Sequence, residues 1–336
     1  MTLGVLALFV LMAYGQEKKF ALYSVAFYNM ENLFDTIHDE GKNDYEYLPN
    51  GTNQWNTMKY KAKLKNMSEI LSLLSTDKLP MGPAIIGVSE IENYRVLEDI
   101  LKQPALADRG YRYVHYEGED QRGVDCAFFY NPKLFELTNS KLVPYVYIND
   151  TIHKTRGFLI ASGNIAGEKM HFIVNHWPSR AAASPARERA GEQVRAIKDS
   201  LLREDSAAKI VIMGDMNDDP MDKSMAVALG AKRKPVDAGP TDLYNPWWDT
   251  LKKGYGTLMY KGKWNLFDQI VVTGNLLGTD RSTLKFYKHE IFSRDFMFQK
   301  EGKYKGYPKR TQAGGVWLNG YSDHLPTIIY LIKEVK

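Results

Sequence analysis

A chain of 336 residues, 44% of them hydrophobic, can close one large core, and length alone leaves one or two domains open. Charged residues make up an ordinary globular 25%, which argues against disorder, and the formal net charge of +4 is only a mild pull toward polyanions such as nucleic acid. The lone Cys126 can form no internal disulfide and, within Cys126-Ala127-Phe128-Phe129-Tyr130, reads as a buried packing residue.

The chain opens on an apolar stretch, Met1 to Gly15, shorter than the ~20 residues that span a bilayer. Its length and its Ala13-Tyr14-Gly15 end suit a signal-peptide core cleaved before Gln16, although the usual preceding positive charge is missing; an apolar strand or anchor is the alternative. A secreted or periplasmic protein without a membrane span is expected. Phe20 to Met30 then reads as a strand, followed by a polar loop from Asp39 to Asn56. Leu64, Met67, Ile70, Leu71 and Leu74 recur at helical spacing. Ala84-Ile85-Ile86-Gly87-Val88 has the continuous apolar character of a strand buried on both faces, and it delivers Glu90. Asn93 is placed to cap a short helix carrying Val96, Leu97, Ile100 and Leu101 inward.

Strand patterns follow at Tyr111 to Tyr116, Val124 to Tyr130, Phe158 to Ile165 and Met170 to Asn175. Arg187 to Leu202 reads as a helix, Lys209 to Met213 as a buried strand, and Phe267 to Thr273 and Thr327 to Ile332 as further strands. Two strand-rich halves with helical pairs predict sheets packed face to face under outer helices. No linker or low-complexity stretch divides 16–336, so one catalytic domain is the economical organisation.

Polar groups cluster where the apolar runs end: Asn29 and Glu31, Glu90, Asn175 and His176, Asp215 and Asn217, Asp268, then Asp323 and His324. One Asp or Asn after a strand is ordinarily a turn former or cap. Their recurrence at one strand end after another points to a site, because layered α/β folds gather ligands there. Mg²⁺ prefers a few hard oxygens plus substrate phosphate, a set that Glu90, Asp323 and Asn29 could supply; no Cys/His cluster suits structural zinc. Asp215 could orient and deprotonate water, Asn217 could donate to a phosphoryl oxygen, and a histidine steadied by Asp268 could deliver charge or a proton.

These blocks, Tyr28-Asn29-Met30-Glu31-Asn32-Leu33-Phe34-Asp35, Gly87-Val88-Ser89-Glu90-Ile91-Glu92-Asn93, Asn175-His176-Trp177-Pro178-Ser179-Arg180, Gly214-Asp215-Met216-Asn217-Asp218, Phe267-Asp268-Gln269-Ile270 and Ser322-Asp323-His324-Leu325-Pro326, together resemble the endonuclease/exonuclease/phosphatase superfamily in its deoxyribonuclease I-like form. The resemblance implies a four-layered α/β/β/α sandwich and a metal-dependent phosphoester hydrolase. It implies Glu90 as principal Mg²⁺ ligand (Mn²⁺ as substitute), with Asn29 and Asp323 near the metal and Glu31 reaching it through water. Asp215 matches the residue that activates water, Asn217 the phosphate-binding amide, His324 the histidine facing the phosphate and Asp268 its support. His176 stands where deoxyribonuclease I-like members carry a second catalytic histidine, which implies a general acid. Arg180 either aims its planar fork at a phosphate or makes a surface salt bridge. Residues 300–310, with Lys309 and Arg310, interleave basic and aromatic types and form either a phosphate- and base-binding loop or a solvated one.

The expected protein is thus an exported nuclease that works as a monomer with no stable protein partner. A sphingomyelinase-like lipid phosphodiesterase or a phosphomonoesterase is the enzymatic alternative; no long exposed apolar hairpin supports the lipid case. A non-catalytic binding module is the alternative of another class.

Overall fold

A computed structural model describes residues 18–335 except positions 149 and 151. The expected leader, Met1 to Gly15, lies outside the described residues. Two sheets form the middle of the molecule. The six-stranded sheet runs, edge to edge, Lys285–Ile291, Thr327–Val335, Lys19–Leu33, Ile85–Ile91, Asp125–Tyr130 and Arg112–His115. The seven-stranded sheet runs Glu136–Val143, Phe158–Ile165, Glu168–His176, Lys209–Asp215, Asp268–Thr273, Leu243–Tyr244 and Ala231–Lys232.

The two-residue alternation of a strand explains the layering. Val25 and Phe27 of the first strand join Val211 and Met213 of the opposite sheet in a core between the sheets. Their neighbours Ala26, Tyr28 and Met30 point outward onto the helices Thr57–Leu73 and Tyr94–Leu101. Ile210 and Ile212 likewise point outward, onto the helix Ser184–Glu204. Both faces of each sheet are therefore apolar, which is why the central strands read as unbroken apolar runs. The result is the four-layered α/β/β/α sandwich. Close approach of the sheets needs Gly87, where an added Cβ would lie 2.6 Å from Met213 Sδ. The caps follow the sequence: Asn93 accepts from the backbone N–H groups of Arg95 and Val96.

The site is positioned by strand direction. Lys19–Leu33 runs parallel to Ile85–Ile91, and Glu168–His176 runs parallel to Lys209–Asp215. The four C-terminal ends therefore share one rim of the sandwich. Asp268–Thr273 and Thr327–Val335 run antiparallel to their neighbours, so Asp268 and the Ser322-Asp323-His324 segment enter at that same rim.

Candidate active site

Register brings the polar groups together pair by pair. His176 pairs with Asp215 across one strand boundary, and Asp215 with Asp268 across the next. Gly214 makes the first approach possible, since a Cβ there would sit 2.3 Å from Asn175 O. In the other sheet the ladder is irregular between Asn29 and Leu33 and between Ser89 and Ile91. Glu31, Asn32 and Glu90 occupy these irregularities with φ of 45°, 54° and 60°. Left-handed backbone is uncommon for such residues, and a bulge re-aims a side chain that strict alternation would send elsewhere. Asn217 is left-handed too, at φ 51°, and its backbone N–H donates to Asp215 Oδ1 at 2.9 Å.

Asp215 Oδ2 is the meeting point. Asn29 Nδ2 donates to it at 3.0 Å, and the Nε2 atoms of His176 and His324 lie 3.7 and 3.8 Å away. Burial, with Asp268 and Glu90 adding to it against the opposing charge of His324, pushes the Asp215 carboxyl up to about 7. Asn29 also donates to Glu90 Oε1 at 3.2 Å, and its own oxygen accepts from Glu31 N, so its nitrogen faces both carboxylates and holds them in place. Glu90 Oε2 accepts from Asn32 N at 2.9 Å.

His324 Nδ1 lies 2.7 Å from Asp268 Oδ2, which directs Nε2 toward Asp215 and, at 3.9 Å, Asp323 Oδ1. Burial opposes its charge, but Asp268 and Asp215 outweigh burial and hold this imidazole well above the usual histidine range, so it is a cation at neutral pH. His176 behaves oppositely: burial first, then the charges of Arg156, Arg122 and His324, push it well below that range. The expected general acid is thus a neutral imidazole in this pocket, offering one N–H. Ser322 pins the last block in place by donating to Asn29 O at 2.8 Å and accepting from His324 N at 3.1 Å. Asn217 Nδ2 donates to Trp177 O at 3.0 Å, leaving its second amide N–H for a ligand.

The remaining expected residues separate into two sets. Glu31 places both carboxylate oxygens on protein donors, Arg310 Nε at 2.8 Å and Thr311 N at 2.7 Å. Arg310 also pairs with Asp323 at 3.1 Å, yet its side chain keeps 44% exposure, so Glu31 and Asp323 hold a half-exposed guanidinium at the rim. Lys309 is half-buried beside it. Arg180 is committed within the chain: it pairs with Asp222 at 2.7 Å, Asp219 at 3.3 Å and Asp218 at 3.3 Å, and stacks 4.4 Å over Phe267. Of its two sequence readings, the salt bridge is the arrangement present.

Two groups escaped the sequence reading. Lys63 is fully buried, donating to Thr311 Oγ1 and to Tyr321 O at 2.7 Å, and so ties the segments that carry Arg310 and Asp323. Its signal was available, since it lies in phase with Tyr60, Leu64 and Met67 on the apolar stripe, where an unpaired ammonium is costly. Arg156, buried between Asp120 and Trp177 O, adds its charge to burial in lowering His176, and nothing in its sequence surroundings marks it.

The donor set suits a hard divalent cation. Glu90 and Asp323 keep 16% and 25% side-chain exposure among more deeply buried acids, and carboxylates with substrate phosphate are the ligands such ions prefer. Ligand atoms of Glu90, His176 and Asp215 lie within 4.8 Å of one another, as do those of Asp215, Asp268 and His324.

Comparison with known proteins gives the family and the fold. The family model described as "Endonuclease/Exonuclease/phosphatase family" matches residues 24–333. The chain belongs to that family. Its members are metal-dependent phosphoester hydrolases, and this protein is an enzyme of that type. No curated protein matches by sequence. Among solved structures, a Bacteroides thetaiotaomicron endonuclease/exonuclease/phosphatase family protein is similar with a TM-score of 0.59 and 15% identity, over 95% of this chain and 98% of that one. A humanized TDP2 of D. rerio is similar at 0.56 and 14%, over 92% and 98%. The mannosyl-6-phosphatase of Bacteroides thetaiotaomicron VPI-5482 is similar at 0.56 and 15%, over 92% and 99%. At these identities they support the fold.

Proposed function

We propose that this family member is an exported, Mg²⁺-dependent phosphodiesterase acting on nucleic acid, working as a single-domain monomer. The observation that carries the reading is the convergence on Asp215 Oδ2 of a neutral histidine and a charged one, 3.7 and 3.8 Å away, beside Glu90. Two imidazoles of opposite protonation state flanking one carboxylate suit a reaction in which one oxygen gains a phosphorus bond and another loses one. A divalent cation held by Glu90 and Asp323 would neutralise charge on a non-bridging phosphoryl oxygen.

The chain's own residues supply the remainder. Asp215 accepts a proton from the attacking water, whose oxygen forms the new bond to phosphorus. The imidazolium of His324, steadied by Asp268, and the free amide N–H of Asn217 donate to phosphoryl oxygens as their charge grows. The leaving oxygen departs with the electron pair of the broken bond, hydrogen-bonded by neutral His176, and takes up a proton from solvent. Arg310, anchored by Glu31 and Asp323, presents charge to the substrate at the rim. The leader-like Met1 to Gly15 supports export.

The test is a panel assay with Mg²⁺ and with chelator, comparing the parent with Asp215→Asn. Plasmid DNA, single-stranded RNA, sphingomyelin, inositol phosphates, a sugar phosphate and an aryl phosphodiester are the substrates. Cation-dependent cleavage of nucleic acid, lost in the variant, is expected. Turnover confined to the lipid or to phosphomonoesters would overturn the substrate assignment.

A further inference from the structure

Beside the catalytic centre lies a cleft of about 840 Å³, of which the mechanism above uses only Arg310 and Asp323. One wall is the short hairpin Leu258–Tyr260 with Lys263–Asn265, and the opposite wall is the hairpin Gln312–Ala313 with Val316–Trp317. The third side is the segment 299–308, closed on itself by Gln299 N donating to Tyr307 O at 2.8 Å and Gly306 N to Gln299 O at 2.9 Å. Gly262 N donates to Tyr307 Oη at 2.6 Å, joining that segment to the first hairpin. The cleft begins at the chemistry: Leu258 forms a bridge with His324, Leu325 N donates to Thr257 O at 2.8 Å, and Arg310 and Asp323 stand at its mouth.

Its lining is largely apolar, with Leu258, Met259, Val316 and Leu318 along it, and it carries exposed rings with cations beside them. Tyr260 and Tyr304 are 63% and 52% exposed, and both line this one cleft. Lys261 sits 5.3 Å from the Tyr260 ring centroid and Lys303 sits 5.5 Å from that of Tyr304. An alkyl chain would gain nothing from either lysine and would strip water from Arg310 at the mouth. A planar heterocycle linked to a phosphodiester uses the apolar lining together with rings to stack on, ammonium groups for the adjoining phosphate, and Arg310 where cleft and centre meet.

Resting on the phosphodiesterase reading of the centre, we propose that this cleft binds an unpaired nucleobase of single-stranded nucleic acid, next to the phosphate being cleaved. Tyr260 and Tyr304 are the stacking platform and the rim lysines meet the backbone. A base within a duplex cannot enter, so the strand must be open at that nucleotide.

The test is a binding measurement, made on the full chain carrying Asp215→Asn so that nothing is consumed. The probes are a fluorescent thymidine tetranucleotide, an abasic phosphodiester tetramer of the same charge, and dodecylphosphocholine. The thymidine probe should bind on the order of tenfold or more tighter than the abasic one, the worth of base stacking on an aromatic ring. Adding Tyr260→Ala and Tyr304→Ala should bring the two oligomers to equal affinity, and Phe at both positions should restore the difference. Both tyrosines are exposed, and an unchanged melting temperature will show that the variants fold. Equal binding of the two oligomers by the parent, equal loss of both in the double alanine variant, or tyrosine-dependent binding of dodecylphosphocholine alone would overturn the proposal. Base-dependent binding by a protein that hydrolyses no phosphodiester would sink the catalytic reading and leave the cleft assignment standing.

Discussion

The two sheets contribute different chemistry to one rim. The six-stranded sheet delivers the carboxylate oxygens of Glu90, on a strand bent by left-handed backbone and held by Asn29, and of Asp323, which arrives with the segment that Lys63 ties down. The seven-stranded sheet delivers proton handling and phosphoryl contacts: His176, Asp215, Asn217 and Asp268 sit on or just after strands in regular register. His324 crosses the seam, entering with the first sheet and bonding to Asp268 of the second. Left-handed backbone aims side chains on both sides, at Glu90 and at Asn217, while regular pairing holds the buried His176, Asp215 and Asp268 against one another. The division can be broken by substitution.

The largest effects are expected on the seven-stranded side. Asp215→Asn and His324→Ala should each lower kcat by about a hundredfold or more, with circular dichroism showing the fold retained, since losing one aligned electrostatic group in a dry site costs that much. Raising the cation concentration should rescue neither. Glu90→Gln, on the oxygen side, should also lower kcat/KM strongly, but part of the loss should return as Mg²⁺ or Mn²⁺ is raised in a titration of initial rates. Identical rescue behaviour in the two groups would erase the division.

Lys63→Met tests whether the oxygen side depends on its buried tie. Thr311 Oγ1 loses its donor and Tyr321 O keeps only that of Thr311 Oγ1, and a stability loss of about 1–3 kcal/mol in denaturant unfolding is expected. The cation requirement should rise with it, because Asp323 and Arg310 are no longer pinned.

Acidity gives a smaller, graded test. Burial holds the Asp215 and Glu31 carboxyls up at about 7, above the range they have in the unfolded chain. The folded state therefore binds more protons, and stability present below about pH 4 is lost as pH rises through 7. Metal-free protein should melt at a lower temperature at about pH 7.5 than at about pH 5, and divalent cation should narrow the gap by favouring the ionised carboxylates. Burial pulls Lys63 down to about 8, which has the opposite sign and acts only as the pH approaches and passes that value. The smallest effect belongs to Arg180→Ala. With its guanidinium held by Asp218, Asp219 and Asp222, kcat/KM should change by less than about tenfold, as measured with an aryl phosphodiester.

Central strands were legible because burial on both faces writes an unbroken apolar run, as in Ala84 to Val88 and Lys209 to Met213. Glu136–Val143 and Lys285–Ile291 were not, because both are edge strands whose residues are partly exposed and mixed in type. The positions of the candidate site residues could be read from strand ends, since polar groups after apolar runs recur there. Their partners could not. Spacing gave Arg180 the reach to a phosphate but carried no sign of the three carboxylates that hold it. Nor did it show that Glu31 spends both oxygens on Arg310 and Thr311, contacts separated by about 280 residues of chain. The opposite shifts of His176 and His324 depend on burial, with Arg156 beside the first and Asp268 beside the second, which only the folded arrangement supplies.

The central claim is that one cation and one phosphate share the pocket between Glu90 and His324. Crystals soaked with Mn²⁺ and inorganic phosphate test it directly through the anomalous signal of the metal. The account predicts a single strong peak ligated by Glu90 and Asp323, with phosphate oxygens within hydrogen-bond distance of His324 Nε2 and Asn217 Nδ2. A metal peak elsewhere with this pocket filled only by water, or phosphate bound away from His324, would contradict it.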